Sequence, residues 1–286
     1  MRHFVIVGIL VIVVAVLTYV GLDSAGLMPV PASAQAGPID WLWDLQVKAI
    51  AFLFALIVVP MVYSLLVFRR RKGDTSDAEH IEGNTKLEIA WTIVPLFVVI
   101  GLAFIGAQNL AETRRVDPAA MVVNVTGFQW GWRFDYPDYG ITSTELYLPV
   151  NKQVLLKMTS TDVLHSFWVP EFRVKQDLVP GRITELRITP TLIGDTYKVR
   201  CAEICGTSHA YMENPVIVVD DANFTAWVSD QQKLAESAGQ TPEGRGQALV
   251  AANGCAACHS VNGAAGVGPT WFQLAGSEVP LSGGGT

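Results

Sequence analysis

Residues 49–68 read AIAFLFALIVVPMVYSLLVF, a run of 20 residues without a charged side chain. A stretch of this length and polarity is typical of a helix that crosses a bilayer. The run ends at Arg69-Arg70-Arg71-Lys72, and basic residues beside a membrane helix favour the cytoplasmic side. Trp41 and Trp43 precede the run, where aromatic side chains suit the opposite interface. This stretch therefore predicts a membrane protein.

A second apolar stretch, at about residues 89–107, follows a polar loop. Two spans joined by a cytoplasmic loop form a hairpin, which we assign to residues 40–115, and return the chain to the outer side of the membrane. Everything after about Arg115 is therefore expected on the periplasmic or extracellular side. The composition agrees with a membrane protein, since 50% of the 286 residues are hydrophobic and only 16% are charged.

The N-terminal segment, residues 1–36, carries a third apolar run. Phe4–Val20 follows Arg2 and His3 and precedes the small-residue sequence Ala32-Ser33-Ala34-Gln35-Ala36. This order is typical of a secretory signal peptide with small-x-small cleavage positions. The run also nearly reaches the length of a membrane span. A cleaved signal peptide and a retained N-terminal membrane anchor are both compatible with the sequence.

The chain between residues 121 and 219 changes character. Short β-branched and aromatic runs alternate with turn signals such as Pro137-Asp138-Tyr139-Gly140 and Pro180-Gly181. Many short strands at this spacing predict an antiparallel β-sandwich or barrel of about 100 residues. The predicted strands are Met121–Thr126, Thr142–Leu148, Gln153–Met158, Arg182–Thr189, Thr196–Val199 and Val216–Val219. A helix is predicted at Asn223–Ala238, before a polar linker and a smaller Gly- and Ala-rich domain from Pro242.

The charges are unevenly distributed along the chain. The net charge of −6 lies entirely after residue 116, in the part that is expected outside the membrane. Such an imbalance fits either ordinary solubility or an acidic face that attracts a basic partner. It disfavours nucleic acid as a partner, because domains that bind nucleic acid carry a basic patch.

Two of the four cysteines lie in Cys201-Ala202-Glu203-Ile204-Cys205-Gly206-Thr207-Ser208-His209-Ala210-Tyr211-Met212, directly after a predicted strand. Two thiolates, an imidazole and a thioether form the soft ligand set that favours copper. His165 is the unassigned histidine of the β region and is available as a further ligand from a distant strand. A disulfide between the two cysteines, or a structural zinc site with two cysteines and two histidines, are the alternatives. The disulfide leaves the histidine and the methionine unexplained, and zinc leaves the methionine unexplained.

Five segments together resemble subunit II of the haem-copper cytochrome c oxidases. The resemblance extends, in order, over roughly residues 40–235. Besides the run from Cys201 to Met212, it is carried by LEIAWTIVP at 87–95, QWGW at 129–132, VLHS at 163–166 and PGR at 180–182. It implies a membrane-anchored all-β protein, with a cupredoxin-like Greek-key β-sandwich or barrel over residues 117–235 that carries a dinuclear copper A centre.

The resemblance also implies how the copper is held. Two sulfur atoms would bridge two copper ions, and an imidazole with either a thioether or a backbone carbonyl would complete each ion. The implied ligands are Cys201, Cys205, His165, His209, Met212 and, through its backbone carbonyl, Glu203. The side chain of Glu203 would face a magnesium site shared with subunit I, although an isolated loop carboxylate is more often merely solvated.

Three further residues take roles from the same resemblance. Trp130 would be the point at which electrons enter from a donor cytochrome, although an aromatic residue beside Trp132 is otherwise usually part of the core. Glu88 would lie at the mouth of a proton-uptake path into subunit I, although Thr85-Lys86-Leu87-Glu88 also fits a capping box at the start of the second membrane helix. Asp177 would contact subunit I.

The other two cysteines lie in Cys255-Ala256-Ala257-Cys258-His259, the attachment signature of c-type haem. The two cysteines would form thioethers to the haem and the histidine would bind its iron, with a disulfide or a zinc knuckle as the alternative. Together with Gly266-Val267-Gly268-Pro269, the motif resembles class I cytochrome c, and its fusion to subunit II resembles the caa3-type oxidases. No methionine or histidine follows the motif. We therefore expect a partial α-helical cytochrome c domain at 242–286, in a chain that is cut off inside it.

Together these features predict an electron-transfer subunit of a proton-pumping respiratory oxidase in the bacterial plasma membrane. The subunit would accept electrons from cytochrome c or a similar donor, directly or through the fused haem c, and pass them to haem a in subunit I. Its partners would be subunits I and III and the membrane lipid, and oxygen reduction is expected on subunit I. The alternative is a membrane-anchored copper-delivery or zinc-binding protein. A nitrous oxide reductase-like copper module is disfavoured by the hairpin and the haem motif, and a quinol oxidase subunit would lack the copper ligands.

Overall fold

The computed structural model describes residues 1–70, 72–77, 80–238, 241–252, 255, 258–266 and 268–277. The chain forms two compact units. The first comprises Met1–Val30 and Gly37–Thr113 and is helical. The second comprises Pro31–Ala36 and the chain from Arg114 onward, and it contains the β structure.

Among the described residues, three helices are long and apolar enough to cross a membrane: α1 at Arg2–Ser24, α2 at Ala36–Val67 and α3 at Thr85–Thr113. The apolar stretches 49–68 and 89–107 fall almost entirely within α2 and α3. Both helices extend well beyond those stretches, to 32 and 29 residues. About 20 residues suffice to cross the hydrocarbon, and the additional turns carry polar side chains. Trp41 and Trp43 consequently lie inside α2 rather than in front of it.

The start of α3 differs from the predicted capping box by one residue. Asn84, not Thr85, is the cap: its side-chain oxygen accepts the N–H of Leu87 at 3.1 Å, and Glu88 Oε1 accepts the N–H of Asn84 at 3.3 Å. The reciprocal pairing of a capping box is present, but its acidic member lies four residues after the cap. The sequence pattern placed the cap one residue late because Thr and Asn are both good caps.

In the part of the β unit that the structure describes, ten strands form two five-stranded sheets. One sheet has the order β3-β2-β1-β5-β8 and the other β4-β10-β9-β6-β7. The strands are β1 Met121–Phe128, β2 Gly131–Tyr136, β3 Ile141–Ser143, β4 Leu146–Pro149, β5 Val154–Ser160, β6 His165–Trp168, β7 Lys175–Leu178, β8 Thr184–Ile188, β9 Gly194–Cys201 and β10 Glu213–Val219. The predicted sandwich is confirmed, but its sheets are mixed, since β1 pairs with β5 and β10 with β4 in parallel.

One predicted strand was wrong. The run Thr142–Leu148 is not continuous: β3 ends at Ser143 in the first sheet and β4 begins at Leu146 in the second. Ser143 Oγ accepts the N–H of Glu145 at 3.0 Å, a local side-chain bond that turns the chain between the sheets. The prediction also missed β2, β6 and β7: β6 and β7 have only four residues each, and β2 begins at Gly131, directly after the two-residue turn Gln129-Trp130.

The core lies between the two sheets. In β5 every second residue from Val154 to Ser160 is buried, as expected for a strand with one face on the core. Trp132, Phe134 and Phe167 are among the largest side chains without solvent exposure. The predicted helix at Asn223–Ala238 is found as α4, Asp221–Ala238.

Helix α4 covers the sandwich with aromatic side chains. Trp227 stacks on Tyr147, with ring centroids 4.4 Å apart and planes 10° apart, and meets Tyr136 edge-on at 5.1 Å. Tyr136 is buried, donates its hydroxyl to the carbonyl of Tyr147 at 3.0 Å and accepts the N–H of the same residue at 2.8 Å. This cluster closes the end of the core beneath α4.

The described residues after α4 form one further helix, α5 at Pro242–Ala252, followed by turns up to Ser277. The expected domain at 242–286 lies partly outside the described residues, which exclude 278–286. Ala256 and Ala257 of the haem motif, Val267 of the following glycine segment and Arg71 of the basic run also lie outside them.

Candidate metal centre

The sandwich brings His165 next to the cysteine motif. Strands β6 and β9 pair antiparallel, with Phe167 opposite Cys201, and His165, two residues before Phe167, lies on the same face of the sheet as Cys201. The connection from β9 to β10 then carries Cys205, His209 and Met212. The backbone holds both ends of this connection, since the N–H of Cys201 donates to the carbonyl of Met212 at 3.1 Å.

The donor atoms converge on the two sulfurs. The Sγ atoms of Cys201 and Cys205 are 3.8 Å apart. Cys201 Sγ lies 3.8 Å from His165 Nδ1 and 3.2 Å from the carbonyl oxygen of Glu203. Cys205 Sγ lies 3.5 Å from Nδ1 of His209 and 3.8 Å from Sδ of Met212. Each sulfur therefore has one imidazole and one further donor beside it.

The remaining ring nitrogen of His165 fixes its orientation. His165 is fully buried, and its Nε2 lies 2.8 Å from Oδ1 of Asp162. Because a carboxylate accepts hydrogen bonds, Nε2 carries a proton, and Nδ1 is the ring nitrogen that faces Cys201. A partner of this kind commonly fixes the tautomer of a metal-binding histidine. Burial opposes protonation of His165, but hydrogen bonds to Cys201 and Asp162 raise its pKa above the ordinary value.

The two thiols have opposite electrostatic environments. Burial alone would raise the pKa of Cys201, but its hydrogen bond with His165 and backbone hydrogen bonds lower it to about 6. Burial and the neighbouring charge of Cys201 raise the pKa of Cys205 to about 12. Without a metal, the site therefore favours the thiolate form at Cys201 more than at Cys205, and a bound cation would favour the deprotonated form of both sulfurs.

Two glycines allow the close approach of the elements at the site. A Cβ at Gly127 of β1 would lie 3.2 Å from the ring of His165, and a Cβ at Gly206 would lie 3.0 Å from the ring of Trp130. Gly206 also has a φ of +121°, which disfavours other residues. These positions let two aromatic rings pack directly against the backbone around the donors.

Trp130 is in contact with the donor loop. Its Nε1–H donates to the carbonyl of Cys205 at 3.1 Å, and the side-chain amide of Gln129 donates to the same carbonyl at 2.6 Å. Trp130 is half-buried, whereas Trp132 is fully buried and lies edge-on to His165 with ring centroids 6.4 Å apart. The indole of Trp130 thus lies at the surface and one hydrogen bond away from a donor residue.

The other predicted site residues lie outside this cluster, apart from the backbone carbonyl of Glu203. Glu203 contributes its carbonyl oxygen, while its side chain is exposed. Glu88 lies in the cap of α3 in the helical unit. Asp177 lies on β7 opposite Ser166.

The haem motif contains a second oriented histidine. His259 Nδ1 lies 2.8 Å from the carbonyl oxygen of Pro269, and since a carbonyl only accepts, the Nε2 of His259 is the nitrogen free to bind a metal. The ring stacks on Trp271 with centroids 4.7 Å apart. A Cβ at Gly268 would lie 2.7 Å from the His259 ring, so glycine is needed there. Cys255 and Cys258 are free thiols.

The positions of the sulfur atoms argue against a disulfide and against a zinc site in the motif from Cys201 to Met212. A disulfide requires sulfurs about 2.05 Å apart, whereas the two Sγ atoms are 3.8 Å apart and both cysteines are free. A structural zinc site is closed by four ligands, which leaves the buried Met212 sulfur beside Cys205 without a role. The donor set, rich in sulfur and imidazole, matches the preference of copper.

Sequence reasoning missed Asp162, Gly127 and Gly206. A signal for Asp162 was present, since an acidic residue three positions before a proposed metal-binding histidine is a natural second partner for its ring. No local signal marks Gly127, because the ring that it accommodates comes from a strand 38 residues later. The importance of Gly206 also depends on packing against Trp130.

Known proteins match the chain along most of its length. The family model of the cytochrome c oxidase subunit II transmembrane domain matches residues 21–108, and the model of its periplasmic domain matches residues 141–221. Cytochrome c oxidase subunit 2 of Alkalihalophilus pseudofirmus is 32% identical over 251 residues, covering 84% of this chain and 73% of the relative. The subunit 2 of a Synechocystis species is 32% identical over 264 residues, covering 75% of this chain and 79% of the relative.

A solved structure also matches. The crystal structure of the periplasmic domain of subunit II of cytochrome oxidase from Bradyrhizobium japonicum is 32% identical, with a TM-score of 0.40, and covers 42% of this chain and 98% of that chain.

Proposed function

The chain belongs to the cytochrome c oxidase subunit II family, and we propose that its cluster of sulfur and imidazole donors holds the dinuclear copper A centre of a haem-copper oxidase. The observation that carries this proposal is the convergence of a histidine and a carbonyl on Cys201 and of a histidine and a thioether on Cys205. The chain is a membrane-anchored component of the oxidase, with its β unit on the periplasmic side.

The residues fit two copper ions better than one. Each ion would share both cysteine sulfurs, so that the pair of thiolates balances two positive metal ions within a buried site. The implied ligands are His165, Cys201, Glu203, Cys205, His209 and Met212. When bound, two copper ions that share two sulfurs would supply an electron carrier whose odd electron is delocalised over both ions.

The chain's own residues would keep such a site rigid and dry. Asp162 and the β6–β9 pairing hold His165, and the hydrogen bond from Cys201 N–H to the carbonyl of Met212 closes the base of the loop. Cys201, Cys205 and Met212 are all buried. A site whose ligands barely move between oxidation states pays little reorganisation, which favours fast electron transfer.

We also propose how the subunit meets its partners. A half-buried indole that hydrogen-bonds the carbonyl of Cys205 makes Trp130 the entry point for electrons from a cytochrome c donor. Electrons would leave toward haem a in subunit I, where oxygen is reduced and protons are pumped, and subunit III would complete the assembly. Asp177 would lie in the contact with subunit I.

Glu203 and Glu88 would have roles other than copper binding. The exposed side chain of Glu203 would bind a magnesium ion shared with subunit I, since carboxylates are ligands of choice for magnesium. Glu88, at the cytoplasmic start of α3, would lie at the entrance of a proton-uptake path into subunit I. Its bond to the N–H of Asn84 is compatible with that role, because only Oε1 is used there.

The domain organisation follows the same proposal. Residues 40–115 would form the membrane hairpin, 117–235 the copper domain and 242–286 part of a class I cytochrome c domain that binds haem c through Cys255, Cys258 and His259. The oriented ring of His259 and the glycine beneath it support haem binding. A pyridine haemochrome spectrum of the exported full chain tests this: covalent haem is expected in the wild type and lost in Cys255→Ser, and wild-type protein without covalent haem would contradict it.

The oxidase role is tested in the assembled complex. The full chain is produced with its oxidase partners in a host lacking its own subunit II, and oxygen uptake is measured with reduced cytochrome c. Cys201→Ser is expected to abolish uptake, whereas Thr207→Ala, at an exposed position of the same loop, should keep it. Full uptake in Cys201→Ser would contradict the oxidase role and favour the alternative of copper delivery or zinc binding.

A further inference from the structure

The segment Pro31–Ala36 belongs to the β unit, although the chain on both sides of it belongs to the helical unit. This is the small-residue segment in which the sequence suggested a signal-peptide cleavage site. We refer to Pro31–Ala36 as the strap. Its contacts bear on whether α1 is a cleaved signal peptide or a retained membrane anchor.

The strap pairs with the β unit through its backbone. The N–H of Ala32 donates to the carbonyl of Glu171 at 2.9 Å, and its carbonyl accepts the N–H of Thr191 at 2.9 Å. The N–H of Ala34 donates to the carbonyl of Thr189 at 2.8 Å, and Ser33 lies opposite Pro190 in an antiparallel bridge. The strap is therefore held to the β unit by three backbone hydrogen bonds and one isolated β-bridge, after which the chain turns into α2.

Its polar side chains are also committed to the β unit. Ser33 Oγ donates to the carbonyl of Phe172 at 2.9 Å and accepts the N–H of Ala36 at 3.2 Å, and Gln35 Oε1 accepts the N–H of Thr189 at 3.1 Å. Ala32 and Ala36 have no solvent exposure, and Ser33 and Gln35 expose 5% and 6%. Four of the six strap residues are thus buried.

Cleavage within the strap would disturb these contacts. A cut after Ala34, which is exposed, would place a new ammonium group on the buried Gln35 and would break the chain between two residues that both hydrogen-bond to Thr189. A cut after Ala36 would place the new carboxylate on a residue without solvent exposure. Charged groups in such positions are costly unless they are paired, so the folded β unit favours the uncut chain.

Helix α1 makes specific contacts of its own within the helical unit. Val11 is buried with Ala55 and Val59 of α2. Tyr19 donates its hydroxyl to Asp44 of α2 at 2.8 Å. His3 Nδ1 and the hydroxyl of Tyr63 lie 2.8 Å apart, near the other end of the two helices. Helix α1 therefore contacts α2 near both of its ends and in its middle.

We infer that α1 is retained as a third membrane helix and that the strap binds the chain between α1 and α2 to the periplasmic domain. Arg2 at the start of α1 then faces the cytoplasm, which agrees with the preference of basic residues for that side. With three spans the N-terminus is cytoplasmic, whereas removal of α1 would leave a new N-terminus on the periplasmic side.

The N-terminus of the mature protein is the first test. The full chain with a C-terminal tag is expressed in bacterial membranes, purified in detergent, and examined by N-terminal sequencing and intact mass. The inference predicts a chain that begins at Met1. A chain that begins at Gln35, Gly37 or another position after α1 would overturn it.

Limited proteolysis with elastase, which cleaves after small residues, tests the strap itself. Cleavage after Ala32, Ala34 or Ala36 is expected to be about tenfold faster in the double variant Ser33→Ala with Gln35→Ala, because both side-chain bonds to the β unit are removed while the small residues remain. Ser24→Ala, whose hydroxyl bonds only Gly21 in α1, is the matched control and should behave as the wild type. Equal cleavage of the double variant and the wild type would overturn the docking. Copper content is expected to be unchanged in all of them, so the test is independent of the copper site.

Discussion

Asp162→Ala is the most informative change near the site that leaves every proposed copper ligand in place. Its carboxylate accepts the Nε2–H of His165 at 2.8 Å through Oδ1 and the N–H of Gln129 at 2.6 Å through Oδ2. Alanine removes both acceptors. It therefore frees the ring of His165 and also the segment that carries Trp130.

The size of the effect follows from burial. His165 has no solvent exposure, whereas Asp162 exposes 30% of its side chain. Water can therefore enter where the carboxylate was, and the unpaired Nε2–H is expected to cost about 1 kcal/mol, the low end for a buried donor. Gln129 is exposed, so its N–H is partly rescued by solvent and should add about 0.5–1 kcal/mol. Loss of a residue that orients a metal ligand typically weakens metal binding about 10–100-fold. Asp162→Asn keeps an acceptor oxygen, and we expect a loss below about tenfold.

Competition of the full-length protein with a copper chelator measures the affinity, and thermal unfolding of the metal-free form measures stability. Asp195→Ala, an exposed position on β9, is the matched control and should match the wild type in both. Burial opposes ionisation of Asp162, but hydrogen bonds hold its pKa below the ordinary value. Its contribution is therefore present at neutral pH and lost only on acidification through that lowered pKa. Wild-type copper affinity in Asp162→Ala would refute the proposed role of this residue.

Three further outcomes are expected. Cys201→Ser and His209→Ala should each lose the copper signal in electron paramagnetic resonance, and an unchanged spectrum in either would overturn the ligand assignment. Copper loading of the metal-free protein at pH 7 should release at least one proton, since the pKa of Cys205 is raised to about 12, and copper affinity should fall as the pH is lowered; a pH-stat titration without proton release would contradict this. In the whole oxidase, Glu88→Gln should slow turnover while reduction of the copper stays intact, since glutamine keeps the acceptor for Asn84 but cannot carry a proton. Unaltered turnover would leave Glu88 with its capping role alone.

Much of the fold could be predicted because it depends on local patterns. The apolar stretches that contain Ala49–Phe68 and residues 89–107 mark the membrane helices by composition alone. The strands at Met121–Thr126 and Gln153–Met158 follow from β-branched runs between turns. The split of Thr142–Leu148 could not be predicted. The change of sheet depends on the hydrogen bond from Glu145 N–H to Ser143 Oγ and on the parallel pairing of β4 with β10, which is distant in sequence.

The candidate site divides in the same way. The dense motif from Cys201 to Met212 signals a metal site within 12 residues, and the structure places His165 beside it through the pairing of β6 with β9. The contribution of Gly127 becomes visible only when the β1 backbone and the His165 ring are seen in contact. The strap also could not be read from the sequence alone. Its small residues are typical of a signal-peptide cleavage site, but four of its six residues are buried in the fold.

The central claim is that this chain holds two copper ions between Cys201 and Cys205. The most direct test is copper content together with electron paramagnetic resonance on the full-length protein in detergent, loaded with copper. The account predicts two coppers per chain and a hyperfine pattern from one electron shared over both nuclei. One copper per chain with hyperfine coupling to a single nucleus, or a preference for zinc, would contradict it.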